Sequence, residues 1–159
     1  MILMDLNEQV DWDFSRALRT ARLRRLVLRL RGRPTASPSF EEVQGTLRAY
    51  NRVRRGIRVV DLQKIVGSVG RSRDFDNSFM PLRAAVGERW KRVDLAFYRD
   101  QALPPVSLYK LGDAYFVEDG NHRISVVRYH GVPDVEADVT ELWPAHVENR
   151  DAGPETMAA

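Results

Sequence analysis

Apolar positions recur along this chain with two periods, and the switches between them mark out its elements. Residues 5–31 lie in a stretch without Gly or Pro, from Met1 through Arg31, and predict a long helix capped by Asp11 or Asp13. Its apolar residues form two stripes. Phe14, Leu18, Ala21 and Leu28 share one side, while Leu23, Leu26, Val27 and Leu30 lie roughly opposite, so the helix should pack between other elements or break partway. GRPTASPS, 32–39, contains two Pro and reads as a linker. Ser39 followed three residues later by Glu42 matches a capping box, which predicts a helix over FEEVQGTLRAYNRVRRG, 40–56.

Ile57 to Val60 is rich in β-branched residues and reads as a strand, and GSVGRSRDFDNSF, 67–79, as a polar loop. After Pro81, Leu82, Val86, Trp90, Val93 and Phe97 recur at three-to-four spacing and predict a helix reaching Gln101. PPVSLYKLGDAYFVED then holds two β-rich runs separated by Gly112-Asp113, the pattern of a hairpin. A helix from Asn121 stops at Gly131 before Pro133, and Val135, Ala137 and Val139 alternate as a short closing strand. The tail reads as disordered. The chain divides on this reading into a basic helical extension (1–55), a compact domain (56–143) and a flexible tail (144–159).

Composition removes several chemistries. With 159 residues and no cysteine, a disulfide framework, a Cys-ligated metal and a thiol nucleophile are all excluded. The start lacks a basic segment followed by an apolar run, and no stretch approaches a membrane span, so a cytoplasmic protein without a membrane partner is expected. Net charge is only +3, yet residues 1–60 hold 13 Arg against 6 Asp and Glu, whereas residues 61–159 are net negative. Such asymmetry reads as a basic arm on an acidic body. Arg outnumbers Lys 22 to 3, which fits bidentate phosphate contact and fits a GC-rich coding bias equally. Within the first helix, Arg22, Arg25 and Arg29 are the candidates for a nucleic-acid backbone, where each phosphate contact adds salt-dependent affinity. Covering the helix and pairing with this chain's own acidic half is the alternative use of those side chains.

The densest chemistry lies in YFVEDGNHRISVVRYHG, 115–131. A strand meets a helix through Gly120, and the first turn of any helix leaves amide N–H groups unpartnered at the positive end of its dipole. That junction is an anion seat. Gly120 allows a tight turn, Asn121 is a good cap, His122 adds a ring donor, and Arg123 adds a charged fork. Asp-Gly-Asn is also an ordinary turn, and Arg123 has Glu118 and Asp119 within reach as ion-pair partners.

The hairpin–DGNHR–helix–Gly–strand stretch, 104–140, resembles the ParB/sulfiredoxin-like superfamily. Its members carry GERR in ParB proteins, a GCHR-type sequence in sulfiredoxins and DGHHR in ParB-like free-serine kinases, and this chain departs from the last only at Asn121. IRVVDLQKIVGS, 57–68, is similar to the opening strand of that fold. The resemblance implies an α+β fold with a small mixed sheet, preceded here by the Arg-rich helical extension. It also implies nucleotide phosphates held by Gly120, Asn121, His122 and Arg123. Sulfiredoxin chemistry needs a cysteine where Asn121 stands, which excludes that activity. A ParB site has two adjacent Arg in place of His122-Arg123, and no helix-turn-helix domain is expected after residue 140, so clamp loading on DNA is not expected either.

Other candidates fill in the site. Arg71, in GSVGRSR, is placed on the opposite wall of an anion pocket, with a plain surface loop as the alternative. Glu118 and Asp119 are candidate catalytic carboxylates, and Asp119 the candidate ligand for magnesium on a nucleoside di- or triphosphate. Strand alternation turns them to opposite sides, so at most one should reach the site. His122 is the candidate acid–base group. His122 and His130 lie two turns apart on one helix and make a poor metal pair. Three function classes follow: a nucleotide- or phosphate-binding domain associated with DNA, a phosphotransferase or nuclease, and a non-catalytic interaction module.

Overall fold

The computed structural model describes residues 4–35, 39–70 and 73–144. Its architecture is α+β, as expected. In chain order come α1 (Leu6–Leu30), α2 (Phe40–Leu47), β1 (Ala49–Asp61), β2 (Ile65–Ser68), α3 (Gly87–Tyr98), β3 (Val106–Leu111), β4 (Ala114–Asp119), α4 (Asn121–Tyr129) and β5 (Asp134–Pro144). Five strands form one mixed sheet in the order β1-β5-β3-β4-β2. β1 runs antiparallel to β5 and β3 antiparallel to β4, while β3–β5 and β2–β4 are parallel. The hairpin turns at Gly112-Asp113 as the sequence predicts.

Strand alternation divides the core. Leu108, Val117 and Val139 face α4 and pack on Ile124 and Val127. On the other sheet face Tyr109, Phe116 and Leu142 receive Phe40 of α2. A second layer lies above α4: Phe14, Ala17 and Ala21 of α1 meet Trp90 of α3 and Val126 of α4. Trp90 is fully buried, and its indole N–H donates to Ser125 Oγ at 2.8 Å, which satisfies both polar groups inside the core.

Three expectations are corrected. The Ser39 capping box forms, with both reciprocal hydrogen bonds present, but its helix ends at Leu47, not at residue 56. Arg48 takes a left-handed conformation (φ 49°) and the chain enters β1. Tyr50, Val53, Ile57 and Val59 are β-prone, and β5 pairs with β1 from Ala49 opposite Pro144 to Asp61 opposite Asp134. The expected boundary at 55/56 therefore falls inside a strand. The second correction is β2, whose Gly67 and Ser68 open the expected polar loop and whose Ile65 and Val66 lie outside the expected strand of Ile57 to Val60. Four residues are too short to show a period, and pairing with β4 makes them a strand. Third, α1 begins earlier than its expected caps. Asp5 is the N-cap position, Asp11 forms an ion pair with Lys91 at 2.7 Å, and Asp13 is buried within the helix.

Candidate functional site

β4 ends at Asp119 and α4 begins at Asn121, so Gly120 alone turns the chain. Its φ is 112°, and a Cβ there would stand 2.6 Å from Val106 Cγ1. Gly120 is thus required by its backbone angle and by close packing on β3. The first helical bond runs from Ile124 N–H to Gly120 O at 2.9 Å. No side chain caps the helix. The amides of residues 121–123 precede that first bond, at the positive end of the α4 dipole. Because β2 and β4 are parallel neighbours, this turn opens beside the end of β2, where Ser68 Oγ donates to Asn121 Oδ1 at 2.7 Å.

Arg123 points back under the turn. Its Nη1 donates to the carbonyls of Pro104 (2.8 Å) and Pro105 (2.7 Å), and its Nη2 to Asp119 Oδ2 at 2.6 Å. The guanidinium clamps the turn to the chain entering β3. The two carboxylates do face opposite ways: Glu118 lies on the α2 side of the sheet and accepts from the Tyr109 hydroxyl at 2.8 Å, while Asp119 is exposed beside the helix start. They do not converge. His122 is half-buried, its ring edge-on to Phe75. Burial first, then the charge of Arg89, push its pKa below the ordinary 6.5 against the pull of Asp74 and Asp119. The ring is therefore neutral at pH 7 and available as a donor or acceptor without charge.

Residues 118–123 line neither of two cavities found among the described residues. One of these, a groove of about 870 Å³, nevertheless adjoins the turn through Ser68. Arg24, Arg25, Gly70, Arg73 and Arg83 share its wall. Arg24 pairs with Asp76 and Arg83 with Asp74. Among the described residues no carboxylate pairs with Arg25 or Arg73. Of the predicted nucleic-acid residues only Arg25 reaches this groove. Arg22 and Arg29 are exposed elsewhere on α1, with Arg22 Nε donating to the Leu82 carbonyl at 3.4 Å. Arg71 lies outside the described residues.

No protein-family model matches the chain, and no curated protein does. Among solved structures it is similar to sulfiredoxin from Arabidopsis thaliana. Identity is 18%, the TM-score is 0.40, and the match covers 52% of this chain and 82% of that one. No residue role is carried across from that likeness. No helix among the described residues is long and apolar enough to cross a membrane.

Sequence reasoning missed Arg89 beside His122, and it singled out neither Ser68 nor Arg73 within GSVGRSR, the stretch it placed on the opposite wall of an anion pocket. It also missed a buried cluster of Asp13, Asp94 and His130. A signal for that cluster existed. Asp94 falls on the apolar stripe one turn after Trp90, and Asp13 falls between Val10 and Ala17 on the buried face of α1. A carboxylate on a core stripe calls for a partner.

Proposed function

We propose that the β4–α4 turn binds a phosphate-bearing ligand of the nucleotide class. The observation that carries this reading is the glycine-started, side-chain-uncapped first turn of α4, set beside the end of its parallel neighbour β2. A helix N-terminus so placed favours an anion by its orphan amides and its dipole together. Ser68 and Asn121 hold the two segments in register, and the neutral His122 supplies a rim hydrogen bond. Arg25 and Arg73 in the adjoining groove supply positive charge for the rest of the ligand. Arg123 acts as the clamp that shapes the turn.

The donors at the turn suit binding better than phosphotransfer or nuclease chemistry. Glu118 is turned away, and Asp119 is held by Arg123, so no carboxylate pair is present to build a resident magnesium site. A magnesium ion arriving with a nucleotide would rest on its phosphates, with Asp119 as the one carboxylate nearby.

The test is titration with ATP, ADP and CTP, with and without magnesium, of the native chain and of Asn121→Asp. That variant keeps the acceptor for Ser68 but adds negative charge at the helix start. Nucleotide affinity should fall at least ~10-fold, on the order of 1.4 kcal/mol, at an unchanged melting temperature. Equal affinity in both proteins, or no binding by the native chain, overturns the reading.

A second source of phosphate is a nucleic-acid backbone, favoured by the exposure of Arg22, Arg25 and Arg29 along α1. Binding of this kind weakens steeply with salt, so DNA retention that is absent at low ionic strength removes it.

A further inference from the structure

Three elements meet away from the β4–α4 turn. Asp13 comes from α1, Asp94 from α3, and His130 from the C-terminal end of α4. One potential ligand atom from each lies within 4.8 Å of the other two. Asp13 and Asp94 are 2% and 0% exposed. His130 Nε2 lies 2.6 Å from Asp94 Oδ1, whereas Asp94 Oδ2 is buried with no hydrogen-bond partner among the described residues. Nearby cations are engaged elsewhere: Lys91 pairs with Asp11, and Arg16 stacks over Trp12. Two buried carboxylates thus lie beside one imidazole, which is bonded to Asp94 alone. A buried carboxylate without a counter-charge is costly, and a divalent cation would balance both.

We propose that Asp13, Asp94 and His130 form a binding site for a divalent transition-metal ion of the zinc class, which pins α1 to α3 and α4. Two carboxylate oxygens and one imidazole nitrogen are a ligand set such ions accept, with water completing the shell. The imidazole distinguishes the site from one for calcium or magnesium, which prefer oxygen alone.

The surroundings support a built site. Tyr98 and Tyr129 donate to Asp13 Oδ2 and Oδ1 at 2.6 and 2.9 Å, and Gln9 donates to Oδ1 at 3.1 Å. These are the outer-shell bonds that orient a ligating carboxylate. Phe97 stacks on His130 with ring centroids 4.2 Å apart, which fixes the plane of the imidazole. His130 is slightly exposed and supplies the route from solvent.

The experiment is a calorimetric and thermal-melt titration of the chelator-treated full chain with zinc chloride alone, followed by cobalt(II) spectroscopy. One equivalent should bind, raise the melting temperature with metal concentration, and give the visible bands of a low-coordinate cobalt site. Asp94→Asn and His130→Ala should abolish the rise, and Tyr129→Phe should weaken binding by about 10–100-fold, the usual outer-shell effect. His122→Ala should leave metal binding intact. Where a ligand variant unfolds, Tyr129→Phe and the cobalt spectrum of the native chain still decide. No zinc binding by the folded chain overturns the proposal, because the pair would then be a proton-sharing dyad. Binding that survives Asp94→Asn or disappears in His122→Ala overturns it as well.

Discussion

Gly120 carries the candidate turn by two independent constraints. Its positive φ disfavours any L side chain, and the direction a Cβ would take is filled by Val106. The Arg123 guanidinium lies 3.2 Å from the same point, so the clamp and the glycine occupy neighbouring space. Gly120→Ala should therefore lower stability by about 2–4 kcal/mol, the sum of left-handed strain and overpacking. Urea unfolding checks this. A loss below ~0.5 kcal/mol would mean that the turn relaxes without Gly. The same geometry explains why Gly120 does not open the turn on the β3 side. On the proposed function, an anion would approach along the α4 axis, past Asn121 and His122.

At the scale of the element, α1 is one continuous helix whose two halves are buried differently. Its first half buries Val10, Phe14, Ala17 and Ala21, while Leu23, Leu26 and Leu30 beyond are exposed. The two apolar stripes read in sequence are thus unequal, one in the core and one in solvent. Phe14 packs against Trp90 with ring centroids 5.6 Å apart, and a Cβ on Gly87 would stand 2.8 Å from its ring. Phe14→Ala should cost about 3–5 kcal/mol through the cavity it leaves. Leu26→Ala should change stability by no more than ~0.5 kcal/mol. Both follow from denaturant midpoints, and equal effects would show that the exposed half is covered in solution.

The whole molecule is held across its sheet by a charged clamp spanning three strands. A bulge between Arg54 and Gly56 re-aims Arg55, whose Nε donates to Glu141 Oε2 at 2.6 Å, and Lys110 approaches the other oxygen at 3.3 Å. Burial opposes ionisation of Glu141, but the hydrogen bonds and charges of Arg55 and Lys110 outweigh it, and its pKa lies below the ordinary 4.5. A carboxylate depressed in the folded state adds stability above its unfolded pKa and loses it as pH falls through the folded value. Stability should therefore decline below pH 4.5, and Glu141→Gln should remove part of that decline. Arg55 is partly exposed, so solvent screening limits the contribution to about 1 kcal/mol. Unfolding curves of both proteins between pH 3 and 7 measure it, and superimposable pH profiles would show that the clamp contributes nothing.

What the sequence determined by itself was local. The Ser39–Glu42 box, the Gly112-Asp113 hairpin, the stop at Gly131 and the turn at Gly120 each rest on backbone preferences within a few residues, and each appears where the sequence places it. The opposite facing of Glu118 and Asp119 follows equally from strand alternation. Tertiary structure decided the rest. Residues 49–56 are a strand because β5 pairs with them, and Ile65–Ser68 because β4 does. Whether Arg123 pointed outward or clamped Asp119 depended on where Pro104 and Pro105 placed their carbonyls. Asp13 and the Tyr129 hydroxyl that binds it lie 116 residues apart. No local preference brings them together. Burial of one apolar helix face against another does, and it carries the charged residues on those faces into the core with it.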